Sequence, residues 1–219
     1  MHRKPQPRWI TVSRNNWQQA IKQAGECLQN EGVVIHATET VYGLAARWDR
    51  EVALKRVAQI KGRALQQPFS IMVSTVDQIL QIEPFLPPQV QQFLQQLFPA
   101  PVTVLLPRSK ALPVSYWNQF PLIGFRLPDH KLSRELVVAA GSPLITTSAN
   151  FSGQPSPKKA DDIPKELIQR VDLILDSGPT AGGVPSTIVE ISKNWQELTL
   201  VREGPVSLEK ILTFFQKNL

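Results

Sequence analysis

Gly32-Val33-Val34-Ile35-His36, followed at once by Ala37-Thr38-Glu39-Thr40-Val41-Tyr42-Gly43-Leu44, is the stretch that decides the fold class. A short apolar run between a glycine and a polar segment is the signature of a strand covered on both faces. Upstream, Trp17, Ala20, Ile21, Ala24 and Leu28 recur at helical spacing and predict a helix over Asn15–Asn30, closed by Gly32. Downstream, Val52, Leu54, Val57 and Ala58 predict a second helix over Arg50–Ile60. It ends on Lys61-Gly62-Arg63, where glycine can take the left-handed conformation that caps a helix. Helix, buried strand, polar loop and helix make the repeating unit of an α/β protein.

The same alternation continues to the end. Phe69–Val73 reads as a strand, and Pro87-Pro88 opens a helix whose Val90, Phe93, Leu94, Leu97 and Phe98 share one face until Pro99 stops it. Strands are expected at Val102–Leu106, Leu122–Leu127 and Leu144–Thr147, with a helix at Lys131–Ala140. A helix over Ala160–Val171 leads to strands at Leu173–Leu175, Thr187–Ile191 and Leu198–Val201, and Ser207–Phe215 is a last amphipathic helix. The expected organisation is a basic N-terminal segment (1–14), one α/β domain (15–206) and a C-terminal helix (207–219) packed on that domain.

Composition narrows the class. At 219 residues, 42% hydrophobic and 19% charged, the chain can bury a core and does not read as disordered. No apolar run approaches the roughly 18–20 residues that cross a bilayer, and no hydrophobic segment follows the basic Met1–Trp9. With the lone Cys27 excluding an internal disulfide, a cytoplasmic, membrane-free location is expected. His2, His36 and His130 are scattered and no Asp/Glu cluster stands out, so no protein metal site is expected. The net charge of +6 suits a polyanion partner such as a nucleotide or RNA, and equally an ordinary basic surface.

Four stretches carry the chemistry: Ala37–Leu44, Lys61-Gly62-Arg63, Thr146–Gly153 and the glycine-rich Ser177–Thr187. They fall after strands or at a helix end, where open α/β sheets hold ligands. Any one of them could be an ordinary cap or turn. Together they supply cations, hydroxyls and glycine backbone, the groups a polyphosphate needs. Neither the phosphate-loop pattern nor G-x-G-x-x-G is present. Arg126 ends the apolar run Leu122-Ile123-Gly124-Phe125 and needs an anionic partner, either Asp129 or a substrate carboxylate.

Seven segments in register resemble the YrdC family of threonylcarbamoyl-AMP synthases. They are Thr38–Leu44, Lys61–Arg63, Pro99–Thr103, Arg126–His130, Ser148–Gly153, Pro185–Val189 and Arg202–Gly204, and the likeness runs from about Trp17 to Pro205. The resemblance implies a stand-alone catalytic domain, a twisted open sheet with flanking helices and a concave basic cavity. It implies that Lys61, Arg63, Ser148 and Asn150 are the catalytic set and hold ATP together with Ser156 and Arg202, while Thr38, Arg126 and Ser186 hold threonine. The implied reaction joins L-threonine, bicarbonate and ATP, with magnesium carried by ATP, and passes the adenylate to a tRNA-modifying threonylcarbamoyl transferase. Double-stranded RNA binding without catalysis, or another substrate in place of threonine, are the alternatives within the same fold. The chain departs from the family pattern at Ala37, Ala100, Leu122 and Thr146, of which Leu122 and Thr146 are expected to touch ligand.

Overall fold

In the computed structural model, which describes residues 6–62 and 64–218, strands and helices alternate along most of the chain. The strands are β1 (Arg8–Thr11), β2 (Val34–Ala37), β3 (Tyr42–Arg47), β4 (Ser70–Met72), β5 (Val102–Pro107), β6 (Leu122–Arg126), β7 (Leu144–Ser148), β8 (Leu173–Asp176), β9 (Thr187–Ile191) and β10 (Leu198–Arg202). The helices are α1 (Trp17–Gln29), α2 (Glu51–Lys61), α3 (Val76–Ile82), α4 (Pro88–Leu97), α5 (Ser115–Asn118), α6 (Lys131–Ala140), α7 (Lys165–Ile168) and α8 (Leu208–Gln216). Among the described residues the strands form one mixed, open sheet in the order β1-β8-β2-β3-β7-β4-β6-β5-β9-β10.

The two-residue period of the strands divides the core. Val34, Ala45, Met72, Leu144, Leu173 and Leu175 face α1 and α6 on one side. Their neighbours Ile35, Leu44, Ile71, Ile145 and Ile174 point the other way, into the larger core that includes Leu54 and Val57 of α2 and Phe93 of α4. Both faces are therefore covered, and each fully buried Leu, Ile or Val contributes about 1.5–3 kcal/mol against the entropy of ordering the chain. The last helix closes this side, with Phe215 edge-on to Phe93 at 5.2 Å.

Most expected elements are present, and three differences have physical causes. The polar stretch Ala37–Leu44 is not all loop: Tyr42–Arg47 forms β3, paired antiparallel with β2 on one side and β7 on the other. Its Gly-Leu-Ala-Ala core has neither alternation nor β-branched residues, because small side chains covered on both faces need neither. The helix expected over Ala160–Val171 is broken by Pro164 into a 3-10 turn at Ala160–Asp162 and the single-turn α7. Finally, Arg8–Thr11, inside the stretch read as a basic N-terminal segment, is an edge strand running parallel to β8.

Candidate functional site

The hairpin that joins β2 to β3 presents Thr38-Glu39-Thr40-Val41 at the end of two central strands. Thr38 organises this loop from within: its hydroxyl donates to the Val41 carbonyl (2.8 Å) and accepts from the Thr40 and Val41 amides (3.2 Å each). Because the Thr38 proton is committed, the 2.8 Å contact with Thr40 has Thr40 as its donor. Gly182 and Gly183 of the glycine-rich stretch donate their amides to the Glu39 and Thr40 carbonyls (3.0 and 2.7 Å). A Cβ on Gly182 would lie 2.7 Å from the Glu39 carbonyl oxygen, so this approach demands glycine.

Arg126 reaches this loop from the end of β6. Its Nη2 donates to Glu39 Oε1 (2.6 Å) and Thr40 Oγ1 (2.7 Å), and lies 3.4 Å from Thr38 Oγ1. The protein partner of Arg126 is therefore Glu39, not Asp129, which pairs with Arg134 at 3.2 Å. The reason is topological: Asp129 follows the strand on the same chain and turns outward, whereas the hairpin brings Glu39 to the strand end. Arg126 Nε and Glu39 Oε2 are both buried without a partner among the described residues.

A second group forms where α2 ends. Gly62 takes the left-handed conformation (φ 64°) and terminates the helix, leaving Lys61 4% exposed. Lys61 Nζ donates to the Ser148 carbonyl and to Asn150 Oδ1, each at 2.7 Å. Ser148 Oγ also donates to Asn150 Oδ1 (2.6 Å), and Asn150 Nδ2 donates to the Gln154 carbonyl. Ser148 ends β7 opposite Gly43, where a Cβ would meet the Thr147 carbonyl at 3.3 Å. Arg63 lies outside the described residues.

These two groups border one cavity of about 210 Å³, lined among others by Thr38, Arg126, Ser148, Ser156, Ser186 and Arg202. Lys61 and Asn150 reach it through Ser148. Arg202, on β10, donates from Nη2 and Nε to the Ser186 carbonyl (2.7 and 3.1 Å). Burial and the neighbouring Arg126 charge hold the Arg202 pKa below its ordinary value. Two guanidiniums, one already balanced by Glu39, leave the cavity suited to an anion. Thr146 lines this cavity, as expected. Leu122 does not: it pairs with Pro107 at the opposite end of β6 from Arg126, four strand residues away.

Sequence reasoning passed over three residues here. Glu39 and Thr40 lay inside a quoted stretch, but their pairing with Arg126 depends on a contact 87 and 86 residues apart. Thr103, which also lines the cavity, closes the quoted segment Pro99–Thr103 but was given no role of its own.

Known proteins resemble this chain in sequence and in fold. The chain is 30% identical over 191 residues to the threonylcarbamoyl-AMP synthase of Pyrococcus abyssi, covering 87% of this chain and 56% of that protein. It is 32% identical over 192 residues to the threonylcarbamoyl-AMP synthase of Bacillus subtilis, covering 87% and 55%. The chain thus spans about half the length of these two relatives. The crystal structure of P. abyssi Sua5 complexed with L-threonine superposes with a TM-score of 0.82 at 28% identity, covering 95% of this chain and 60% of that one. The Sua5/YciO/YrdC family model, described as telomere recombination, matches residues 26–204, which hold both groups around the cavity. From the β2–β3 hairpin to Arg202, the chain belongs to the Sua5/YciO/YrdC family.

Proposed function

We propose that this chain is an L-threonylcarbamoyladenylate synthase, forming threonylcarbamoyl-AMP and pyrophosphate from L-threonine, bicarbonate and ATP. One observation carries the reading: a single basic cavity is lined by Thr38, Arg126 and Ser186 together with Ser148, Ser156 and Arg202. The first three match the amino-acid side of the family pattern and the others its nucleotide side. The relatives' names and the threonine complex of P. abyssi Sua5 support the same chemistry.

In the reaction the threonine ammonium loses a proton, its nitrogen attacks the carbon of bicarbonate, and water leaves to give a carbamate. A carbamate oxygen then attacks the α-phosphorus of ATP, and the bond to pyrophosphate breaks. No side chain serves as nucleophile. The site's work is to hold two anions together, which at 4 Å repel by about 4 kcal/mol at an effective dielectric of 20. Arg126 faces the threonine carboxylate, aided by Thr38 and Ser186. Lys61, Arg63 and Arg202 balance phosphate charge, which grows on the leaving pyrophosphate, and Ser156 donates a hydrogen bond to a phosphate oxygen. Ser148 and Asn150 orient phosphate and carbamate oxygens.

Magnesium belongs to this scheme as part of the ATP substrate, bound through phosphate oxygens. That fits the donor set, since no group of three or more His, Cys, Asp or Glu gathers among the described residues. Among the described residues no helix is long and apolar enough to cross a membrane. The labile adenylate passes to a transferase that modifies tRNA in the cytoplasm. The test is pyrophosphate release from ATP by the purified protein with bicarbonate, with and without threonine. Threonine-dependent release is expected, and threonine-independent release or none overturns the reading.

A further inference from the structure

Three residues from neighbouring strands meet at one end of the cavity. Thr103 on β5 and Ser186, just before β9, are 2% and 4% exposed, and their hydroxyl oxygens are 2.9 Å apart. Arg202 on β10 holds the same serine, with Nη2 3.3 Å from Oγ in addition to its two bonds to the carbonyl. All three residues line the cavity that Arg126 faces.

A proton count fixes the direction of the arginine bond and favours one direction for the hydroxyl pair. A guanidinium can only donate, so Ser186 Oγ accepts from Arg202. Thr103 is 2% exposed and Ser186 Oγ is the acceptor its hydroxyl meets among the described residues, which favours Thr103 as the donor of that pair. Two donated bonds occupy both lone pairs of Ser186 Oγ. Its own proton is then left over, and the serine can act only as a donor toward the cavity. With the opposite Thr103–Ser186 direction, the threonine proton would have no acceptor among the described residues and would itself have to point into the cavity.

We infer that Thr103 is a positioning residue: it makes Ser186 an obligate hydrogen-bond donor to the carboxylate of the amino-acid substrate, opposite Arg126. This rests on the proposed synthase function. The effect is separable from folding because the Ser186–Thr187 backbone is held by other bonds. Thr187 donates its amide to the Pro101 carbonyl (3.1 Å), and Arg202 holds the Ser186 carbonyl. Without the Thr103 hydroxyl, Ser186 stays in place but regains a lone pair and loses its fixed orientation.

The experiment compares wild type, Thr103→Val and Thr103→Ser by steady-state pyrophosphate release, varying threonine and ATP separately. Thr103→Val is expected to raise the threonine KM about tenfold, the value of one hydrogen bond to a charged group, with the ATP KM and kcat unchanged. Thr103→Ser is expected to restore the wild-type value. An unchanged threonine KM in Thr103→Val, an equal rise for ATP and threonine, or a serine variant as impaired as the valine one overturns the inference. If circular dichroism shows Thr103→Val unfolded, Thr103→Ala is used for the same comparison. A wild-type protein without threonine-dependent release overturns the proposed function, and the inference falls with it. An active wild type with an indifferent Thr103→Val overturns the inference alone.

Discussion

Arg126 and Glu39, 87 residues apart, form an ion pair of 2.6 Å at the rim of the cavity, with side chains only 9% and 14% exposed. The pair has two consequences. It fixes the Arg126 guanidinium against the β2–β3 hairpin, and it leaves that end of the cavity less positive than the arginine alone would make it. A pair this poorly solvated is sensitive to loss of one partner, since the survivor keeps its charge without compensation.

Glu39→Gln therefore lowers stability by ~1–3 kcal/mol, read as a lower midpoint in urea unfolding. The hydrogen bond to Arg126 can persist through the amide oxygen, which keeps the loss below that of a bare buried charge. Because Arg126 becomes less firmly oriented, calorimetry should show weaker threonine binding as well. Unchanged stability and binding together would show that the pair has no organising role.

Lys61 is a different case, because its amine satisfies two acceptors, Ser148 O and Asn150 Oδ1. Lys61→Ala removes the cation assigned to the nucleotide in the proposed function and also strips those acceptors of a donor. Adenylate formation should fall by about 10²–10³-fold, the usual cost of losing one electrostatic stabiliser. Thermal denaturation should fall with it, reflecting ~1–3 kcal/mol for the stranded polar groups. Activity within a factor of about 10 of wild type, 1.4 kcal/mol, would remove Lys61 from the nucleotide side.

At Gly182 the clash is with backbone. A Cβ there would lie 2.7 Å from the Glu39 carbonyl oxygen, and the amide hydrogen bond between the two residues holds them together. Gly182→Ala pushes the glycine-rich loop off the hairpin, at a cost of about 1–3 kcal/mol. Amide hydrogen exchange should quicken at Gly182 and Gly183, whose donors are the ones displaced. Unaltered protection at both would contradict this packing.

Acid weakens the fold through His36. It is fully buried under the hairpin, with Nδ1 2.9 Å from the Ala37 carbonyl, and burial, helped by nearby His130, lowers its pKa from 6.5 to about 3. His130 is shifted the same way, chiefly by its own burial. A histidine that binds protons more readily when unfolded favours unfolding in acid. Its contribution is complete above about pH 6.5 and is lost progressively as the pH falls toward 3, at up to ~1.4 kcal/mol per unit. Between pH 6.5 and 4.5, His36→Phe should show a shallower decline in unfolding free energy than wild type, whatever its absolute stability. Parallel slopes would refute the assignment.

Cys27 should be chemically quiet. Burial, reinforced by the Asp172 charge, raises its thiol to about 11, so little thiolate exists near neutrality. Iodoacetamide at pH 7.5 should leave the native protein largely unmodified by mass, and alkylate it once unfolded in urea. Rapid labelling of the native protein would contradict the burial.

The α/β alternation, the α6 boundaries at Lys131 and Ala140 and the left-handed Gly62 cap were readable from the chain, because each depends on neighbours within a few turns. So were the seven motif segments, through their order and spacing. What could not be read were relationships across the sheet. The strand Tyr42–Arg47 hides in a polar context because Gly43, Ala45 and Ala46 give it no alternation and β2 and β7 cover it on both sides. Asp129 seemed a partner for Arg126 by proximity along the chain, but Glu39 is the residue that the hairpin delivers. Leu122 seemed close to ligand by motif alignment, yet strand geometry carries it to the far end of β6.

Local rules of periodicity, capping and proline placement thus determined the class of fold and which residues carry polar chemistry. The tertiary structure decided which of them share a cavity, through strand order and register. Glu39 against Arg126 and Thr103 against Ser186 are pairs made by topology, since a hydrogen bond of 2.6–2.9 Å requires a register that no spacing along one strand encodes.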